Sequence, residues 1–195
     1  MNLPNKLTVM RMVLIPFMMF FYLATFIPHG IGKIVALAIF IIAALTDLLD
    51  GKIARKYNLV TNLGKFLDPI ADKILTASVL FMIIADGTIP APYGAIIVTI
   101  IIAREFMVSA LRLIAASQGT VLAADIWGKA KTMVQMIALP VCMLIPFVLE
   151  LGAVDWVVLT IKISAFVLLG VATVLTVISG INYLVKNRQC FKGSK

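Results

Sequence analysis

The sequence predicts an all-α membrane protein: six transmembrane helices in a single domain over residues 1–195, with both termini in the cytoplasm. Three observations predict it. The first is composition. The chain is 62% hydrophobic and 13% charged, with a mean hydropathy of +1.09, whereas soluble domains are roughly 45–50% apolar and about 25% charged. The second is segment length, because six apolar stretches approach the roughly 20 residues that span a bilayer. The third is charge placement, with lysine and arginine gathered at alternate segment ends.

The first segment runs over about 8–27 and closes at His29-Gly30. The second covers about 32–55 and ends before Tyr57 to Asn62. The third covers about 64–85 and gives way to the turn from Asp86 to Pro92. The fourth covers about 92–117, and Gln118 to Asp125 separates it from the fifth, at about 127–149. Glu150 to Asp155 leads into the sixth, at about 155–186. All connectors are short, and none resembles a linker or a soluble domain. The opening is weakly basic, but no small-residue cleavage site closes its apolar run, so the first segment is expected to stay as an anchor.

Placing the N-terminus in the cytoplasm leaves only Lys33 and Lys162, of 17 lysines and arginines, on the far side. The net charge of +8 therefore reports topology and attraction to anionic lipid headgroups. A nucleic-acid partner would need a water-facing basic surface, and none is expected. Cys142 and Cys190 form neither a disulfide framework nor a metal signature. His29 sits in an external turn. Trp127 and Trp156 suit interfacial anchors, and Asp125 suits a helix cap.

Against this apolar background stands a polar island. Asp47, Asp50, Asp68 and Asp72 are four of the nine acidic residues. Carboxylates at membrane depth are expensive and are usually functional. Asp47 and Asp50 are three apart near the end of the second helix. Asp68 and Asp72 are four apart near the start of the third. Each pair shares a helix face, and the short connector makes the two helices antiparallel neighbours. Oxygen-only ligands suit Mg2+ or Mn2+, and four carboxylates can bridge two ions. The alternative is that the acids merely pair with Lys52, Arg55, Lys65 and Lys73. Gly51, Ala54 and Gly64 allow a ligand close to backbone or serve helix packing. Arg55 is one turn from Gly51 and can fork onto a phosphate.

Asp47-x2-Asp50-Gly51-x2-Ala54-Arg55-x8-Gly64-x3-Asp68-x3-Asp72 matches every fixed position of the CDP-alcohol phosphatidyltransferase signature, and on it the chain resembles that family. The resemblance implies a six-helix fold open to the cytoplasm, in the bacterial cell membrane, and a homodimer. It implies two divalent cations, Mg2+ or Mn2+, held by the four aspartates, with Asp72 also the general base. Gly51, Ala54, Arg55 and Gly64 would lie at the CDP-lipid site. Asn5 and Thr8 are nucleotide candidates from the first helix, although Asn5 equally suits an N-terminal cap.

The acceptor is read elsewhere. Arg104, Val108 and Arg112 are spaced by four, so the two guanidinium groups share a face. Lys129 and Lys131 open the fifth helix, with Gln135 one turn on. Four cations beside the acids suggest an anionic acceptor such as a phosphate. The alternatives are positive-inside anchoring for the lysines and, for Arg112, snorkelling or a pair with Glu105. Arg104, inside an apolar helix, is expected to have an internal partner. Ile102-Ala-Arg104-Glu105-Phe106 and Gly128-Lys129-x-Lys131-Thr132 are similar to the glycerophosphate branch of the family. That similarity implies CDP-diacylglycerol and sn-glycerol 3-phosphate as substrates, with phosphatidylglycerophosphate and CMP as products. Other acceptors (inositol phosphate, phosphatidylglycerol) and a divalent-cation transporter are the rival expectations.

Overall fold

The computed structural model describes residues 3–27, 30–56, 62–117 and 125–187; the side chains of residues 3, 4, 48–56, 62, 63, 65, 66 and 117 lie outside that description. Among the described residues there are six helices: α1 (Leu3–Leu23), α2 (Ile31–Lys56), α3 (Asn62–Ala85), α4 (Ala91–Ser117), α5 (Ile126–Glu150) and α6 (Asp155–Lys186). No strand occurs among the described residues.

The six expected segments are recovered with one displacement. The first helix begins at Leu3 rather than near Thr8 and ends at Leu23 rather than near Ile27. Pro4 is tolerated there because first-turn N–H groups have no helical partner in any case. The consequence is chemical: Asn5 lies inside α1 and is buried, as is Thr8, so Asn5 is not the helix cap. Asp125 does occupy the N-cap position of α5, in extended backbone, but its side chain makes no capping hydrogen bond.

Contacts at both ends of the bundle show that successive helices alternate in direction. At one end, the first half of α1 meets the last half of α2 and the first half of α3, through Arg11–Asp47 and Thr8–Asp68. At the other end, Lys33 of α2 lies over the Tyr22 ring of α1, 4.1 Å from its centroid, and 3.7 Å from Asp86 in the turn after α3. Gly30 makes that end's tight entry to α2 with φ 67°, where an added Cβ would meet the Phe147 ring at 2.9 Å. The expected direct partnership of α2 and α3 is slight among the described residues. Both pack mainly on α1, which stands between them.

The interior is apolar through the middle of the bundle, where Met18, Phe40, Val79, Ile83, Leu139 and Leu169 are buried together. Its exterior is also apolar, with Phe17, Phe20, Ile96, Leu113, Val167 and Val174 among the exposed side chains. Water would not tolerate so extensive an exposed apolar surface, whereas lipid does. Among the described residues, four helices are long and apolar enough to cross a membrane: Asn5–Leu23, Ala91–Ala116, Ile126–Glu150 and Asp155–Lys186. Helices α2 and α3 carry the acidic island.

Candidate active site

The polar island is assembled by α1. Thr8 and Arg11 are one turn apart and face different neighbours. The Thr8 hydroxyl donates to Asp68 Oδ1 of α3 at 2.5 Å. The Arg11 guanidinium donates to Asp47 Oδ1 of α2 at 2.5 Å. Arg11 is fully buried, and the Asp47 side chain is 37% exposed. Hydrogen bonds of this kind fix a carboxylate's direction before any ligand arrives.

Asp72, one turn beyond Asp68 on α3, lies within electrostatic reach of Asp47, Glu105, Arg11 and Lys73. Two carboxylates from different helices thus converge beside one buried arginine. No three described acidic side chains sit at single-ion spacing. Asp50, Gly51, Ala54 and Arg55 belong to the backbone of α2, but their side chains lie outside the described residues. Gly64 is buried in the first turn of α3. Asp47, Asp68 and Asp72 supply only oxygen donors, and Thr8 and Arg11 orient two of them. That donor chemistry fits a hard divalent cation.

Beside the acids lies a cation cluster. The Lys131 ammonium of α5, 1% exposed, donates to Glu105 Oε1 of α4. Arg104 Nη1 lies 3.7 Å from the same oxygen. Lys131 is within electrostatic reach of Asp72, and Arg104 within that of Arg112, Tyr183 and Asp125. Arg104 passes between two glycines: a Cβ on Gly128 of α5 would lie 3.2 Å from its Nη2, and one on Gly180 of α6 would lie 3.2 Å from its Cγ. Larger residues at either position would push it aside. Arg112 is held by Tyr183 of α6, through a long hydrogen bond of 3.4 Å and its ring face at 5.8 Å.

Arg104 and Lys131 therefore come together on Glu105, with the exposed Arg112 on Tyr183 to one side. Lys129 does not join them and is exposed. Two residues apart on a helix point roughly 200° from one another, so Lys129 and Lys131 cannot share a face. Four further residues belong here: Arg11 and Tyr183, given no site role from the sequence, Lys73, read there only as a possible pair for the acids, and Glu105, read as a possible pair for Arg112 but meeting Lys131 and Arg104 instead. Lys73 donates to Ser109 of α4, whose hydroxyl donates to the Glu105 carbonyl at 2.8 Å. A mostly apolar groove opens between α3 and α4, lined by Ile74, Leu80, Ile101, Ile102 and Phe106, with Lys73 and Glu105 among its walls.

The family model for CDP-alcohol phosphatidyltransferase matches residues 1–178. This chain belongs to that family. Its relatives include a CDP-diacylglycerol–glycerol-3-phosphate 3-phosphatidyltransferase of Bacillus subtilis, 40% identical over 206 residues and covering 99% of this chain and 98% of the relative. The protein of the same name from Haemophilus influenzae is 38% identical over 201 residues, covering 99% and 95%. A probable phosphatidylglycerophosphate synthase of Mycobacterium tuberculosis is 38% identical over 188 residues, covering 95% and 81%.

Proposed function

We propose that this protein transfers the phosphatidyl group of CDP-diacylglycerol to sn-glycerol 3-phosphate, releasing phosphatidylglycerophosphate and CMP. The observation that carries this function is the Lys131–Glu105–Arg104 cluster, tied to the Asp72 turn of α3 through Lys73 and Ser109, in a chain whose full-length relatives bear that activity in their names. A serine, choline or ethanolamine acceptor would bring no phosphate to Arg104 and Lys131, which share a single Glu105 oxygen. A phosphate monoester matches them.

The aspartates Asp47, Asp50, Asp68 and Asp72 would hold Mg2+ or Mn2+, which would supply positive charge against the diphosphate. Asn5, Thr8, Gly51, Ala54, Arg55 and Gly64 line the CDP-lipid side. Arg104, Arg112 and Lys131 receive the acceptor phosphate and orient its hydroxyl. Asp72 takes the hydroxyl proton as the oxygen attacks the lipid-side phosphorus. The new P–O bond forms as the bond to the CMP oxygen breaks. Lys129, being exposed, attracts the anionic acceptor and headgroups from solution. The groove between α3 and α4 suits a lipid tail beside the reacting phosphorus. All six helices span the membrane, the site opens to the cytoplasm, and the protein works as a homodimer in the bacterial cell membrane.

The experiment is CMP release by purified protein in mixed micelles. Release should require CDP-diacylglycerol, sn-glycerol 3-phosphate and Mg2+ or Mn2+ together. Absence of CMP release, with divalent-ion flux in liposomes lacking nucleotide, would instead favour the transporter.

A further inference from the structure

Glu105 is the acid on which the acceptor cations converge. Its Oε1 receives Lys131 of α5 and lies 3.7 Å from Arg104 Nη1. Glu105 itself is 24% exposed, whereas Lys131 is almost wholly buried. Its helix is tied to the neighbourhood of Asp72 through Ser109 and Lys73. An ammonium buried without a counter-charge is strongly disfavoured in its ionised form. A pocket that keeps a buried lysine charged before its anion arrives therefore needs a resident carboxylate. A single oxygen shared by cations from α4 and α5 also draws those cations to a spacing that one phosphate can bridge.

We propose that Glu105 is a positioning residue for the acceptor: it keeps Lys131 charged and beside Arg104, so that the acceptor phosphate docks on a preformed cation pair. It takes no proton from the acceptor hydroxyl. This inference rests on the acceptor pocket proposed above.

The test is steady-state kinetics on Glu105→Gln, Lys131→Met and the double variant, with each substrate varied in turn. Glu105→Gln should raise the KM for sn-glycerol 3-phosphate about tenfold and that for CDP-diacylglycerol less than about twofold. On the Lys131→Met background, adding Glu105→Gln should change the acceptor KM by less than about twofold, because the two side chains act as one unit. A purely structural role would lower turnover without this split or this coupling. If Lys131→Met raises the acceptor KM and Glu105→Gln does not, the pocket stands and the role of Glu105 falls. If neither variant moves that KM, both fall. An equal effect of Glu105→Gln on both backgrounds also overturns the proposal. Should Glu105→Gln not yield folded protein, Glu105→Asp carries the test. With its carboxylate one methylene shorter, it should raise the acceptor KM about threefold, and an unchanged acceptor KM overturns the proposal.

Discussion

At the scale of single residues, Asp72 and Arg11 carry the sharpest consequences. Asp72 stands where carboxylates of α2 and α3 approach the cation cluster. Asp72→Asn should lower kcat by about 10³-fold or more while CDP-lipid binding persists in equilibrium binding to micelles. Near wild-type turnover would remove Asp72 as the base. Arg11 has a different role. Arg11→Met breaks its partly buried contact with Asp47 and should cost about 2 kcal/mol, read as a lower thermal midpoint in detergent. The aspartates were legible in the sequence because a carboxylate in an apolar run is conspicuous and its spacing is that of a helix. Arg11 was not. In a sequence it looks like one more positive-inside charge, and only the packing of α1 against α2 gives it Asp47. Glu105 was legible only as a possible pair for Arg112, and its partner in the fold was hidden for a similar reason. It follows Arg104 directly, and nothing local says that Lys131, 26 positions on, will meet it.

At the scale of helices, the important element is α1. Adjacent helices joined by a short connector would be expected to pair directly, yet α2 and α3 both lean mainly on α1. Thr8 and Arg11 bridge them because residues one turn apart still differ enough in direction to meet two neighbours. Helices α5 and α6 contribute through absence of side chain, since Gly128 and Gly180 leave the space that Arg104 fills. Gly180→Val should push Arg104 from its slot and raise the acceptor KM about fivefold or more, with the CDP-diacylglycerol KM nearly unchanged. Gly170→Ala, on the same helix but in open space, should leave both constants unaltered. The spacing of Lys129 and Lys131 already implied opposite directions on α5. Their shared charge masked that geometric difference, which the structure resolves as one exposed and one buried lysine.

At the scale of the whole molecule, alternating helix directions bring the first halves of α1, α3 and α5 to the same end as the last halves of α2, α4 and α6. That end holds the acids and the cations; the opposite end holds the Tyr22–Lys33–Asp86 cluster. The six-helix count was legible from apolar run length, while the inter-helix order was not, because lipid-facing and core-facing residues are equally apolar. On a Cys190→Ser background, Lys186→Cys should react with an impermeant maleimide from the cytoplasmic side only, and Val154→Cys from the opposite side only. Labelling of both from one side would contradict the proposed topology. Chelation of divalent ions should abolish turnover, and Mg2+ or Mn2+ should restore it. The central claim is a division of labour, with donor and chemistry assigned to the acids and choice of acceptor to the cation cluster. It is tested most directly by acceptor competition. Purified protein receives CDP-diacylglycerol, a divalent ion and equal amounts of sn-glycerol 3-phosphate, inositol phosphate and phosphatidylglycerol, and the lipid product is identified by mass. The account predicts phosphatidylglycerophosphate as the dominant product; a dominant product built on either other alcohol would contradict it.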